Sequence, residues 1–252
     1  MNSLNKLLLA CVPVIGLAAC GGGDTADRLD LADPVVRFVH ASPVAPNVTL
    51  YRADVSQSDA TNVAYRFASN YFDVSTGDAD WSVKTATGAL TLGTVSIAPA
   101  ERGTKYTVIA LPSSATASTA YLIVDPYNKG LTSDSTHLRV MNASFNAANI
   151  DLYMNAIGTD ISPSSVTPII AATAFKTAGP ASGSDSRDIP GGTYQLTITA
   201  AGSKTPLFRG LVSFGANKDV LLLTVPDALQ AGGIGVLMKL EGTAGTTEIP
   251  AS

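Results

Sequence analysis

Leu17-Ala18-Ala19-Cys20, followed by Gly21-Gly22-Gly23, is where residue type and spacing specify chemistry most directly. It reads as a bacterial lipobox. A signal peptidase would cut after Ala19, and the freed Cys20 thiol would carry a diacylglycerol thioether. The residues before it fit that role. Lys6 supplies a positive start, Leu7 to Leu17 is an apolar run, and small residues lead to the cut, the order of a secretory signal. Leu7 to Ala19 is too short for a retained anchor helix, which needs roughly 20 residues. Several acyl chains on Cys20 would hold the protein stably on a membrane, where one chain is marginal. Gly21, and not Asp, follows the cysteine, which by analogy favours the outer membrane over the inner.

The other candidates for chemistry are sparse. There are two histidines, His40 and His137. His40 lies two residues from Ser42, but no Gly-x-Ser-x-Gly elbow surrounds that serine. No His-Glu-x-x-His, phosphate-cradling glycine loop or dinucleotide fingerprint occurs. His40 is therefore expected to hydrogen-bond within its own turn, toward the Ser42–Asn47 loop. His137 is read as preceding the strand that corresponds to the one His40 ends. Asp27, Asp30 and Asp33 lie in a small, acidic stretch read as a solvated linker. Asp73, Asp78 and Asp80 crowd one turn without a calcium-loop spacing. Tyrosines are the remaining candidates: Tyr51, Tyr65, Tyr71, Tyr127 and Tyr153. Tyr51 and Tyr153 are out of phase with Leu50 and Leu152, so both are expected to point outward as a ligand face.

Composition sets the frame for these residues. Two cysteines, Cys11 in the leader and Cys20 at the lipid, leave no thiol or disulfide in the mature chain. Stability must then come from apolar cores. The chain is 46% apolar and 14% charged, with a formal net charge of −4. Loss of Lys6 with the leader makes it one unit more negative. An acidic surface argues against nucleic acid as a partner.

A repeat organises the rest. Val36-Arg37-Phe38-Val39-His40-Ala41-Ser42-Pro43-Val44-Ala45-Pro46-Asn47-Val48-Thr49-Leu50-Tyr51 returns as Leu138-Arg139-Val140-Met141-Asn142-Ala143-Ser144-Phe145-Asn146-Ala147-Ala148-Asn149-Ile150-Asp151-Leu152-Tyr153. Phe72-Asp73-Val74 resembles Arg187-Asp188-Ile189, and Tyr106 to Pro112 resembles Val220 to Pro226. Within each copy apolar residues alternate with polar ones: Val48/Leu50, Trp81/Val83 and Tyr106/Val108, then Ile150/Leu152/Met154, Tyr194/Leu196/Ile198 and Ile234/Val236/Met238/Leu240. Period two predicts half-buried strands. Glycine- and proline-containing turns separate them, as at Thr76-Gly77-Asp78 and Pro190-Gly191-Gly192. Copies of about 100 residues with short strands fit Greek-key sandwiches. Trp81 and Tyr194 are expected as core anchors. Ala53 to Asn70 fits strands less well. Its counterpart, Ile157 to Ser186, is longer, and insertions of this kind often carry binding function.

Val36-Arg37-Phe38-Val39-His40-Ala41-Ser42-Pro43-Val44-Ala45-Pro46-Asn47-Val48 closely resembles the opening motif of the bacterial domain-of-unknown-function family 4397. The resemblance implies an exported β-sandwich protein, often with tandem domains, and assigns no activity. Arg37, His40, Ser42, Pro43, Pro46 and Asn47 carry the motif, with a structural role expected. The second copy departs from it at Asn142, Phe145 and Ala148.

The expected architecture is all-β: two tandem Ig-like, Greek-key β-sandwich domains. The boundaries are a signal peptide over 1–19, an acidic tether over 20–34, sandwiches over 35–134 and 135–245, and a tail over 246–252. The expected protein is a lipid-anchored, non-enzymatic binding or structural module of the cell envelope, acting in surface adhesion. The alternative is a carbohydrate- or polymer-binding accessory lipoprotein, with an envelope hydrolase as a further alternative. No cofactor or metal is expected. Partners are the membrane, through Cys20, and an envelope, matrix or glycan ligand.

Overall fold

In the computed structural model, residues 33–126, 134–227 and 232–252 are described. Ala19, Cys20 and Tyr127 lie outside them. Alternating apolar residues build the first eight strands: β1 Val35–His40, β2 Val48–Arg52, β3 Val55–Ser56, β4 Phe72–Asp73, β5 Ala79–Thr85, β6 Thr91–Ile97, β7 Thr104–Pro112 and β8 Ser118–Pro126. Ten follow: β9 Ser135–Asn142, β10 Asn149–Asn155, β11 Ile170–Ala174, β12 Ala178–Gly179, β13 Arg187–Pro190, β14 Gly192–Ala200, β15 Pro206–Phe214, β16 Asp219–Pro226, β17 Ile234–Leu240 and β18 Thr247–Ile249.

These form two β-sandwiches. In the first, the sheet β4-β1-β7-β8 packs on β3-β2-β5-β6. In the second, β12-β9-β16-β17-β18, with β13 also on β9, packs on β11-β10-β14-β15. The pairing pattern is the same in both. β1 runs parallel to β7, and β9 runs parallel to β16. Val36 pairs with Phe72 and Leu138 with Arg187, in corresponding registers. Trp81 is buried in the first core. Tyr194 packs at the margin of the second, stacked on Phe214 at 5.7 Å with its hydroxyl donating to the Pro190 carbonyl at 2.7 Å.

The sandwiches share a third apolar cluster. Val39, Ala41, Ile109, Leu111 and Ile123 of the first meet Met141, Ala143, Leu221, Leu223, Val225 and Leu237 of the second. Val39 is the register partner of Ile109, and Met141 that of Leu223, so corresponding faces oppose one another. The result is four stacked layers with the parallel-paired sheets inside. Every residue of β7 is consequently buried, both those facing its own core and those facing the second sandwich.

Polar groups close this seam. Lys105 meets Asp219 at 3.3 Å and Glu241 at 3.7 Å. Arg139, on β9, meets Asp125 at 3.2 Å and donates to the Pro180, Ala181 and Ser184 carbonyls. Ser182 Oγ accepts from the Val124 amide at 2.8 Å. The Gly183 amide donates to the Val124 carbonyl at 2.8 Å, lining residues 182–183 along the β8 edge.

Four expectations are corrected. His137 lies within β9, not before it, opposite Asp188 at 3.3 Å. Pro34, placed at the end of the tether, is buried, and its carbonyl accepts from Val74. Residues 246–252 are no loose tail: β18 pairs with β17, Ile249 enters the second core, and Ala251 bridges Gly210. Tyr153 does not reach solvent, because the segment after β10 and Lys204 cover its ring.

Candidate functional site

The motif residues turn inward. His40 ends β1 fully buried. Its Nδ1 accepts from the Ser42 amide at 3.4 Å, which leaves Nε2–H to donate to the Pro46 carbonyl at 3.1 Å. These bonds define a neutral tautomer. Burial holds the imidazole below its ordinary pKa. Ser42 Oγ shares a 2.7 Å bond with Ser118 Oγ of β8. Asn47 Nδ2 donates to Asn62 Oδ1 at 3.2 Å, tying the turn after β1 to the segment after the short 3-10 helix Ser58–Ala60. Pro43 is half-buried and Pro46 exposed. Arg37 leaves β1 toward the seam, donating to Thr107 Oγ1 at 3.1 Å. Arg37 apart, then, the motif is one hydrogen-bonded turn. Asn142 reproduces it in the second sandwich: its Oδ1 accepts from the Ser144 amide and its Nδ2 donates to the Ala147 carbonyl.

The tyrosines separate. Tyr51 points outward from β2, half-exposed, as its phase requires. Tyr153 shares that phase on β10 yet is only 2% exposed. The insertion after β10 lies over its face: Gly158 donates to Gln195 Oε1, and Lys204, 4.9 Å over the Tyr153 ring, donates to the Val166 carbonyl. Asp151 on the same face is spent on the Ala172 and Gly202 amides. The insertion seals this face, and its later part fills the seam. Tyr65 packs near His40 at 6.3 Å, and Tyr71 lies at the seam under Arg37.

The face around Tyr51 stays open. β2 turns into β3 through Ala53 and Asp54, both at positive φ (45° and 63°), the signature of a two-residue hairpin whose twist matches its strands. That turn holds Asp54 beside β5. Lys84 Nζ bonds Asp54 Oδ1 at 2.7 Å and sits 4.7 Å from the Tyr51 ring centroid. The bond to Lys84 and its charge lower the Asp54 pKa. Asp54, Asp78, Asp80, Ser82, Lys84 and Thr94 line a groove of about 440 Å³. A second depression of about 420 Å³ adjoins it, with Arg52, Gln57 and exposed Val55. Alternation on β5 explains the set: Trp81 and Val83 face the core, so Asp80, Ser82 and Lys84 face out. The sequence placed Asp78 and Asp80 in a turn but gave no sign of Lys84 or Asp54 as their companions. Among the described residues, no three His, Cys, Asp or Glu side chains converge as a metal site.

Fold and site together define a tandem β-sandwich with an open, polar outer face on its first unit. Residues 34–153 match the model of the family described as Domain of unknown function (DUF4397). The match covers the first sandwich and continues through β9 into β10 of the second. No curated protein matches the chain. Solved structures similar to it include two of carbohydrate-binding modules. One, of family 41 carbohydrate-binding modules from streptococcal virulence factors, concerns alpha-glucan recognition. It is 12% identical with a TM-score of 0.25, covering 76% of this chain and 93% of that one. The other is a family 26 module of Eubacterium rectale Amy13K in complex with maltoheptaose. It is 8% identical with a TM-score of 0.23, covering 87% of this chain and 97% of that one.

Proposed function

We propose that this chain is a lipid-anchored cell-envelope protein whose tandem domains form a non-enzymatic binding module, held on the outer membrane through Cys20 and acting in surface adhesion. The observation that supports a binding role is the asymmetry of the two outer faces. The second is sealed by its own insertion around Tyr153, while the first leaves Tyr51 half-exposed and Asp54, Asp78 and Asp80 around Lys84 open to solvent. The inward turn of His40 and Ser42 supports a scaffold reading of the family motif. The groove favours a hydroxyl-rich ligand. It offers carboxylates, an ammonium and hydroxyls, groups that hydrogen-bond sugars, and the Tyr51 ring stands beside it, next to Lys84.

Three experiments test this. Protease shaving of intact cells should degrade the protein, and a Cys20→Ala variant should be released from the membrane fraction. Protection until the outer membrane is breached would end the adhesion reading. Retention of Cys20→Ala would end the lipid-anchor reading. Affinity electrophoresis against soluble polysaccharides should show retardation that Tyr51→Ala reduces by at least about tenfold in apparent affinity, or about 1.4 kcal/mol. Equal migration of both proteins in every polysaccharide would remove the glycan assignment.

A further inference from the structure

A second cavity lies away from the Tyr51 face, at the seam. It has a volume of about 170 Å³ and is lined by Arg37 of β1, Asn70 and Tyr71 before β4, Lys239 of β17, and Glu241 and Gly242. Two of these residues are cations almost wholly removed from water: Arg37 is 5% exposed and Lys239 1%. Arg37 donates to Thr107 and lies 4.6 Å over the Tyr71 ring, and its buried Nε has no hydrogen-bond partner. Lys239 Nζ donates to the Thr243 carbonyl. Among the described residues, no carboxylate lies within ion-pair distance of either cation. Glu241, the one acid lining the cavity, pairs with Lys105.

Buried cations are ordinarily matched by an anion, because an unmatched charge keeps its full desolvation cost. Here two stand together beside an opening and no side chain supplies that anion. We propose that the seam cavity is a binding site for a small oxyanion, a carboxylate or phosphate group, held between Arg37 and Lys239 with Tyr71 as its wall. The volume suits a headgroup with a short organic body, at roughly 30 Å³ per water displaced. An arginine with an unused Nε–H and a neighbouring ammonium are the donors that recognise such a group. Because β1 belongs to the first sandwich and β17 to the second, the ligand would bridge them.

The test is thermal unfolding of the full chain with inorganic phosphate or acetate, each against chloride at matched ionic strength. One of the two should raise Tm saturably, by about 5 °C at a hundredfold excess over Kd. Which anion does so separates a phosphate source from a carboxylate source. Lys239→Met keeps the buried stem and drops the charge. It should unfold at or above the wild-type Tm without anion and lose the response. Lys239→Arg should keep it, as should Lys84→Met on the outer face. No shift with either anion, or an undiminished shift in Lys239→Met, would overturn the site.

Discussion

His40 and Asn142 meet one demand with different chemistry: each accepts an amide hydrogen bond from the serine two residues on and donates across the turn to a carbonyl. The difference lies in titration. His40 is buried and its pKa is lowered, so the unfolded chain takes up a proton before the folded one does. The stability it contributes is complete above about pH 6.5 and falls as pH drops from there toward the folded pKa. His40→Asn should therefore fold with a stability within about 1 kcal/mol of wild type at pH 8. It should lose less than wild type between pH 7 and 5. Urea midpoints across that range check this, and parallel curves for the two proteins would refute it. This site was legible in the sequence because a histidine at a strand end, followed by Ser42 and two prolines, has turn acceptors within reach. Tyr153 was not. Its phase gave the direction of the side chain correctly, but not the insertion that covers it. Lys239 and Arg37 were equally hidden, since nothing local to either residue says that a second sheet will close over it.

Individual strands carry a clearer signature. The alternation in β2, β5 and β14 states which face meets a core. β16 reads Asp-Val-Leu-Leu-Leu-Thr-Val-Pro, an almost unbroken apolar run, and a continuous run is what burial on both faces looks like. Its two faces belong to separate clusters, Val220 and Leu222 to the second core and Leu221 and Leu223 to the seam. Ile109-Ala110-Leu111 in β7 carries the same mark more briefly. Where strands cross between sheets, glycine is required. A Cβ on Gly93 of β6 would stand 2.2 Å from the Ala120 amide nitrogen of β8. In the corresponding register, one on Gly210 of β15 would stand 2.7 Å from the Pro250 carbonyl oxygen. Both obstacles are backbone and cannot swing aside. Gly93→Ala should therefore destabilise the protein by about 1–3 kcal/mol or more, the usual cost of overpacking. Gly77→Ala, with nothing within 4 Å of its Cβ, should change stability by about 0.5 kcal/mol or less. Equal urea midpoints for the two variants would show that β6 and β8 do not approach as described.

At the scale of the whole molecule, the seam converts two sandwiches into one mechanical unit. An apolar patch of corresponding residues is buried there, and Lys105–Asp219 and Arg139–Asp125 cross it with little exposure of either cation. Removing one member of such a pair strands the other in low dielectric, which costs about 3–5 kcal/mol, so these contacts register the two halves as well as joining them. A polar charge set into the apolar patch should act in the same sense without touching either separate core. Leu223→Asp is the sharpest choice, because Leu223 is fully buried, belongs to the seam cluster, and sits in register with Met141. The single tryptophan, Trp81, reports on the first sandwich, and hydrogen exchange of β14 and β16 reports on the second. In the wild type both probes should follow one urea transition, since loss of either sandwich exposes the seam face of the other. In Leu223→Asp the transitions should separate, with the second sandwich opening first because it carries the substitution. If the first sandwich opened ahead of the second, or if the wild-type transitions were already apart, the seam would be a contact between independent domains and would not be what holds the four layers together.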